Sequence, residues 1–127
     1  MKKHPSMSII RGLLFTYDTE NTDDLERESF ISSKNINNEK ELTELFDRFT
    51  KPDFSSYTQP EQEWLIESIE YFLAADDNFD SVFKTMATYF SEPVTDQKKF
   101  MQTLLSRLKY YNIHQTKTDH GEQAGSR

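Results

Sequence analysis

Residues 58–75 read Thr58-Gln59-Pro60-Glu61-Gln62-Glu63-Trp64-Leu65-Ile66-Glu67-Ser68-Ile69-Glu70-Tyr71-Phe72-Leu73-Ala74-Ala75, and their pattern is helical. Thr58 and Glu61 have capping-box spacing: the hydroxyl of one and the carboxylate of the other satisfy backbone N–H groups left open in a first helical turn. Pro60 falls in that turn, where its missing N–H costs nothing. Leu65, Ile69, Phe72 and Leu73, flanked by Ile66, recur at spacings of 4, 3 and 1. Those spacings draw an apolar stripe along one face. The element is expected to run through about Ala75.

Working outward, the segments on either side read the same way. Asn37 or Asn38 can cap a helix whose face is Leu42, Leu45, Phe46 and Phe49, and which is expected to end at Lys51-Pro52. A loop carrying Phe54 and Tyr57 follows. Downstream, Asp76-Asp77-Asn78 breaks the chain and caps a new helix that buries Phe79, Val82, Phe83, Met86 and Phe90 and stops at Glu92-Pro93. Thr95 and Asp96 open a last helix lined by Phe100, Met101, Leu104, Leu105, Leu108 and Tyr111. Residues 18–38 are polar, with a short helix expected around 23–31 that presents Leu25 and Phe30. Residues 8–17 are ambiguous: Met7, Ile10, Leu14 and Tyr17 fit one helical face, whereas Ile9, Ile10, Phe15, Thr16 and Tyr17 suit a strand. We take the helix because every later element is helical; the strand stays open. The expected architecture is all-α, a compact bundle of four to five helices in a single domain over residues 1–113. After Ile113 the chain turns polar, and residues 114–127 are expected to form a disordered tail.

Charge is distributed unevenly. Residues 18–80 hold 18 acidic residues against 5 basic ones, a net −13, and the whole chain carries −7. The residue types that usually move protons or hold metals are missing from the folding part. There is no cysteine, the three histidines (His4, His114, His120) lie near the ends, and Gly12 is the only glycine before residue 121. Thiolate sites, Gly-rich phosphate loops and His-assisted nucleophiles are thereby excluded. Asp76-Asp77-Asn78-Phe79-Asp80 opens like a calcium loop, but Ser81 stands where the turn needs glycine and Ala87 where a bidentate glutamate is required. It reads as a helix cap. We therefore expect no enzyme activity, no metal and no cofactor. Arg11 interrupts the first apolar run, no small-residue cleavage site follows, and no stretch approaches the length of a membrane span. A soluble, cytoplasmic protein that does not contact membranes is expected.

The candidate site lies on the central helix. With Leu65 at the middle of the buried face, Glu63, Glu67 and Glu70 fall in one strip on the opposite side. Like charges four residues apart repel, and no lysine or arginine relieves them within the helix. One reading is a solvated face that keeps the protein in solution. The other is an electrostatic docking surface, joined by Asp76, Asp77 and Asp80 from the next turn. Trp64 and Tyr71 share an edge of the same helix, either as packing or as partner anchors. The basic residues of the last helix (Lys98, Lys99, Arg107, Lys109) are too few for direct nucleic-acid binding to be expected. They read as complements to the acidic helix or as solvated charges.

A small acidic chain with no chemical site fits three functions: an inhibitor of a cationic partner, a nucleic-acid mimic that opposes a DNA-binding protein, or an acidic adaptor subunit. In size, acidity, the aromatic helix over 61–75 and the helix expected over 79–90 that ends in Tyr89-Phe90-Ser91-Glu92, residues 38–111 resemble bacterial immunity proteins that neutralise nuclease toxins of contact-dependent growth inhibition systems. The resemblance rests on the whole-chain profile. It implies one-to-one binding to a basic cognate toxin and transfers no individual site residue.

Overall fold

A computed structural model describes residues 4–21 and 24–122, with only the backbone described from 115 onward. Its described residues form an all-α bundle around one core. The ambiguous start is helical. Ser6 caps α1 (Met7–Leu13) by accepting the Ile9 N–H, and a 3₁₀ turn (Leu14–Tyr17) continues it. Ile10, Leu13, Leu14 and Tyr17 are buried, while Phe15 is 46% exposed. Strand alternation would have put Phe15 and Tyr17 on one side, so the burial pattern itself decides for the helix. A trace of extended structure survives just beyond. Thr19 N–H donates to Ala87 O at 2.7 Å and Tyr89 N–H to Tyr17 O at 3.0 Å, around an isolated antiparallel bridge between Asp18 and Thr88.

Asp24 caps α2 (Leu25–Ser32) through the Arg27 N–H; Asp23, where this helix was expected to begin, lies outside the described residues. The expected presentation of Leu25 is corrected. Leu25 is 80% exposed and Ile31 is the buried residue, because six helical steps put the two on different faces. Phe30 is half-buried, edge-on to Phe49 at 5.6 Å and covered by the Arg48 guanidinium at 4.4 Å.

Asn38 caps α3 (Glu39–Leu45) as expected, but the helix does not stop at Lys51-Pro52. A π turn (Phe46–Thr50) leads directly into α4 (Lys51–Ser55) with Pro52 in its first turn. Proline has no N–H and crowds the carbonyl four residues back; the wider turn, in which Lys51 N–H reaches Phe46 O, makes room for it. Phe54, assigned to a loop by sequence, is therefore helical and fully buried. Tyr17 braces the widened turn. Its hydroxyl donates to Leu45 O at 3.1 Å and sits 2.7 Å from Thr50 Oγ1, which must then supply the other hydrogen.

The central helix is α5 (Gln59–Ala74), and both arms of its capping box form: Glu61 N–H donates to Thr58 Oγ1 at 3.3 Å and Thr58 N–H to Glu61 Oε1 at 2.9 Å. Gln62, a polar residue inside the stripe, is buried because its amide donates to Phe54 O and Tyr57 O and accepts from Asn112. The helix ends in a Schellman turn. Asp77 N–H reaches Phe72 O and Asp76 N–H reaches Leu73 O, with Asp76 in the left-handed region at φ 60°.

The long helix expected over 79–90 is replaced by a single turn, α6 (Asp80–Phe83). Thr85 helps to end it by turning its hydroxyl back onto Ser81 O at 2.8 Å and Val82 O at 3.1 Å, which competes with continued helix. The chain then extends past the 17–19 segment, and Tyr89 hydroxyl holds Thr19 O and Asn21 O. Asp96 opens α7 (Gln97–Glu122) by accepting the Lys99 N–H at 3.0 Å. Of the stretch expected as a tail from residue 114, the backbone of α7 is described as far as Glu122, with no proline or glycine in it before Gly121. Residues 123–127 lie outside the described residues. Phe100, Met101, Leu104 and Leu108 bury one face of α7, and Phe100 meets Phe46 and Phe83 edge-on at 5.4 and 5.1 Å. Each such aromatic contributes on the order of 1.5–3 kcal/mol by burial.

Candidate partner-binding surface

Helices α5 and α7 are antiparallel neighbours, as three side-chain pairs show by their opposite order: Gln62 with Asn112, Glu70 with Lys109, Asp76 with Lys98. The apolar stripe fixes this arrangement. Once Leu65 and Ile69 are turned to the core, Glu63, Glu67 and Glu70 are placed along one open groove between the helices. The groove has a volume of about 310 Å³; its remaining walls are Ile66, Lys109, Asn112 and Ile113. Ile113 is 57% exposed, so the floor is apolar while the rim is anionic. Gln59 Nε2 donates to Glu63 Oε2 at 3.1 Å, and Lys109 Nζ lies 2.8 Å from Glu70 Oε2.

The remaining carboxylates of the expected surface sit elsewhere. Asp76 lies six residues beyond Glu70, about 9 Å along the helix axis at 1.5 Å per residue. Asp76 pairs with Lys98, and Asp77 accepts the Phe79 N–H at 2.7 Å. Asn78 accepts the Asp80 N–H, while Asp80 receives Gln97 Nε2 at 2.9 Å and Lys84 Nζ at 3.2 Å. The Gln97 bond, reinforced by Lys84, holds the Asp80 carboxyl below the ordinary carboxylate range. The segment that opens like a calcium loop is thus a helix terminus and a pair of side-chain-capped turns. Among the described residues no group of three or more His, Cys, Asp or Glu is placed to hold a metal.

Trp64 and Tyr71 separate in role. Trp64 is half-buried and its indole N–H donates to His4 O at 2.7 Å, fastening the segment before α1 to α5 alongside the Ser6 N–H bond to Ser68 Oγ. Tyr71 is 57% exposed, its ring resting edge-on against neighbouring Phe72. Only Tyr71 offers an accessible aromatic face at this edge of α5.

Four cations of α7, Lys98, Lys99, Arg107 and Lys109, meet carboxylates outside that helix. Lys98 pairs with Asp76 and Lys109 with Glu70, Lys99 lies 3.9 Å from Glu39, and Arg107 grips Asp47 with Nε at 3.0 Å and Nη2 at 3.2 Å. Exposed pairs of this kind contribute about 0.2–1 kcal/mol each. Their larger effect is on the field, because part of the −13 is answered inside the molecule. The Asp47 cluster went unseen in the sequence. Tyr111 hydroxyl also donates to Asp47, and burial together with that carboxylate pushes the phenol far up. A second unforeseen groove, of about 360 Å³, lies beside Gly12 and Phe15 and brings Arg27, Asp53 and Tyr57 together. Burial raises the Asp53 carboxyl there, with Arg27 opposing the shift.

No helix of the described residues is long and apolar enough to cross a membrane. No family model, curated protein or solved structure matches this chain.

Proposed function

We propose that this chain is a non-catalytic binding protein, an immunity-type inhibitor that docks on a basic bacterial toxin, of nuclease type, through its acidic surface. The observation that carries the reading is the α5–α7 groove, where three glutamates of one helix border an apolar floor open to solvent. Such a surface is costly to leave alone: carboxylates crowd its rim, and Ile113 keeps apolar area in water. A cationic partner relieves both at once. The excess of carboxylate also steers encounter, raising association rates at low salt toward about 10⁸–10⁹ M⁻¹s⁻¹.

The test is the product of the adjacent gene. The reading requires a basic toxin domain encoded beside this chain, whose toxicity is abolished by co-expression and whose complex forms one-to-one. Replacing Glu63, Glu67 and Glu70 together with glutamine should weaken that complex and flatten the salt dependence of its association. Glutamine is preferred to lysine because Lys109 already sits beside Glu70. A neighbouring gene product that is not toxic, or a toxin left fully active by this chain, refutes the assignment.

A further inference from the structure

A crevice of about 340 Å³ runs along the outward face of α1, away from the acidic helix. Ser8, Gly12 and Phe15 line it from the helix and Met86 from the extended segment beyond α6. Arg11 and Asp18 line the same space with opposite charges. Seven residues set their Cα atoms about 10 Å apart along the chain axis, and each side chain is held on its own side. Arg11 Nη2 donates to Thr85 O at 2.9 Å, and Asp18 Oδ1 accepts the Glu20 N–H at 2.9 Å. Among the described residues, Arg11 meets no carboxylate and Asp18 no cation within ion-pair distance. Asp18 is only 5% exposed, and a carboxylate so far out of water is costly without a counter-charge.

Gly12 points to the same place for a separate reason. It lies inside α1, its φ is not positive, and a Cβ built on it meets no atom within 4 Å. Neither the backbone nor the packing calls for a residue that weakens a helix relative to alanine. Its effect is a bare strip of backbone on the crevice wall, next to the 46% exposed ring of Phe15. We infer that this crevice binds a free α-amino acid with an aliphatic side chain, its ammonium on Asp18, its carboxylate on Arg11 and its side chain across Gly12 against Phe15 and Met86. The inference is independent of the docking function proposed above. Charge selects the occupant. A lone cation satisfies Asp18 but is repelled by Arg11, a lone anion meets the reverse, and an apolar molecule answers neither. A zwitterion answers both, with a charge-assisted hydrogen bond at each end.

The experiment uses the full chain, with backbone amides and methionine methyl groups labelled for NMR. It is titrated with L-leucine, with N-acetyl-L-leucine, which lacks the cation, and with L-leucinamide, which lacks the anion. The inference expects saturable shifts at the Gly12 amide and the Met86 methyl with leucine, and binding at least about tenfold weaker for either derivative, the cost of one hydrogen bond between charged groups. Arg11→Gln should weaken leucine and make leucine and leucinamide bind alike. Gly12→Leu should keep or raise the Tm, because the site is open and leucine favours helix, and should abolish binding. A derivative that binds the parent as tightly as leucine overturns the zwitterion assignment. Leucine binding that survives in a folded Gly12→Leu chain, or that leaves Gly12 and Met86 unmoved, overturns the crevice. Absence of saturable binding by leucine overturns the inference as a whole and leaves the docking function standing.

Discussion

Deleting one oxygen, by Tyr17→Phe, tests how the N-terminal turn is joined to the π turn. The side chain is fully buried, and its hydroxyl gives a hydrogen to Leu45 O and takes one from Thr50. The substitution keeps the ring and its contacts with Phe46 and Phe90. What it removes is a shared polar link, leaving the buried Thr50 hydroxyl without this partner. Leaving a buried hydrogen-bonding group unmatched costs about 1–3 kcal/mol, so we take about 2 kcal/mol. For a chain of this length roughly 3–5 °C accompanies each kcal/mol, which gives a fall in Tm of about 6–10 °C. Thermal unfolding by circular dichroism reads the Tm, and urea titration should show a lower midpoint with the same slope. Thr50→Val in the Tyr17→Phe background should then cost less than Thr50→Val alone, because the partner is already gone. A fall in Tm of less than about 2 °C, or strictly additive effects of the two substitutions, would refute the bracing role assigned to Tyr17.

Two other outcomes are expected. Burial raises the Tyr17 and Tyr111 phenols above their ordinary value of 10.0, so both stay protonated in the folded chain while the unfolded chain ionises. Their contribution is complete below pH about 10 and is lost as the pH climbs past it, so Tm measured across the alkaline range should fall less steeply in Tyr17→Phe than in the parent. At Asp76, whose φ of 60° suits glycine, Asp76→Gly should be more stable than Asp76→Ala by about 1 kcal/mol in urea unfolding, since both lose the Lys98 pair and only alanine bears the backbone strain.

The parts of the fold that could be read in advance are those set by neighbours in sequence. The α5 capping box, the Asn38 and Asp96 caps and the α7 stripe are local, and each appears where its residues predicted it. The misreadings have a common cause in long-range contacts. Phe79, Val82, Phe83, Met86 and Phe90 have helical spacing, yet residues beyond α6 are extended because 17–19 lie alongside and satisfy their backbone. Pro52 looked like a terminus because nothing in its vicinity announced a π turn braced by Tyr17. The acidic strip was legible as a face of α5, since angular position follows from sequence alone. Its chemistry was not, because Lys109, Asn112 and Ile113 complete the groove from a helix some forty residues away. Trp64 illustrates the same limit: it stands between Glu63 and Leu65 in sequence, but its N–H is fixed by the carbonyl of His4, sixty residues away.

The junction between residues 17–19 and 87–89 also dictates an order of assembly on the ribosome. Tyr89 closes over Thr19 across a separation of 70 residues, and Tyr17 presents its carbonyl to the same late-made segment. At about 5–20 residues per second, the first turns emerge some 4–14 s before their counterpart is synthesised. During that interval Ile10, Leu13 and Tyr17 have no finished cavity to enter. The amino-terminal end of this protein is made first and must wait for partners made much later.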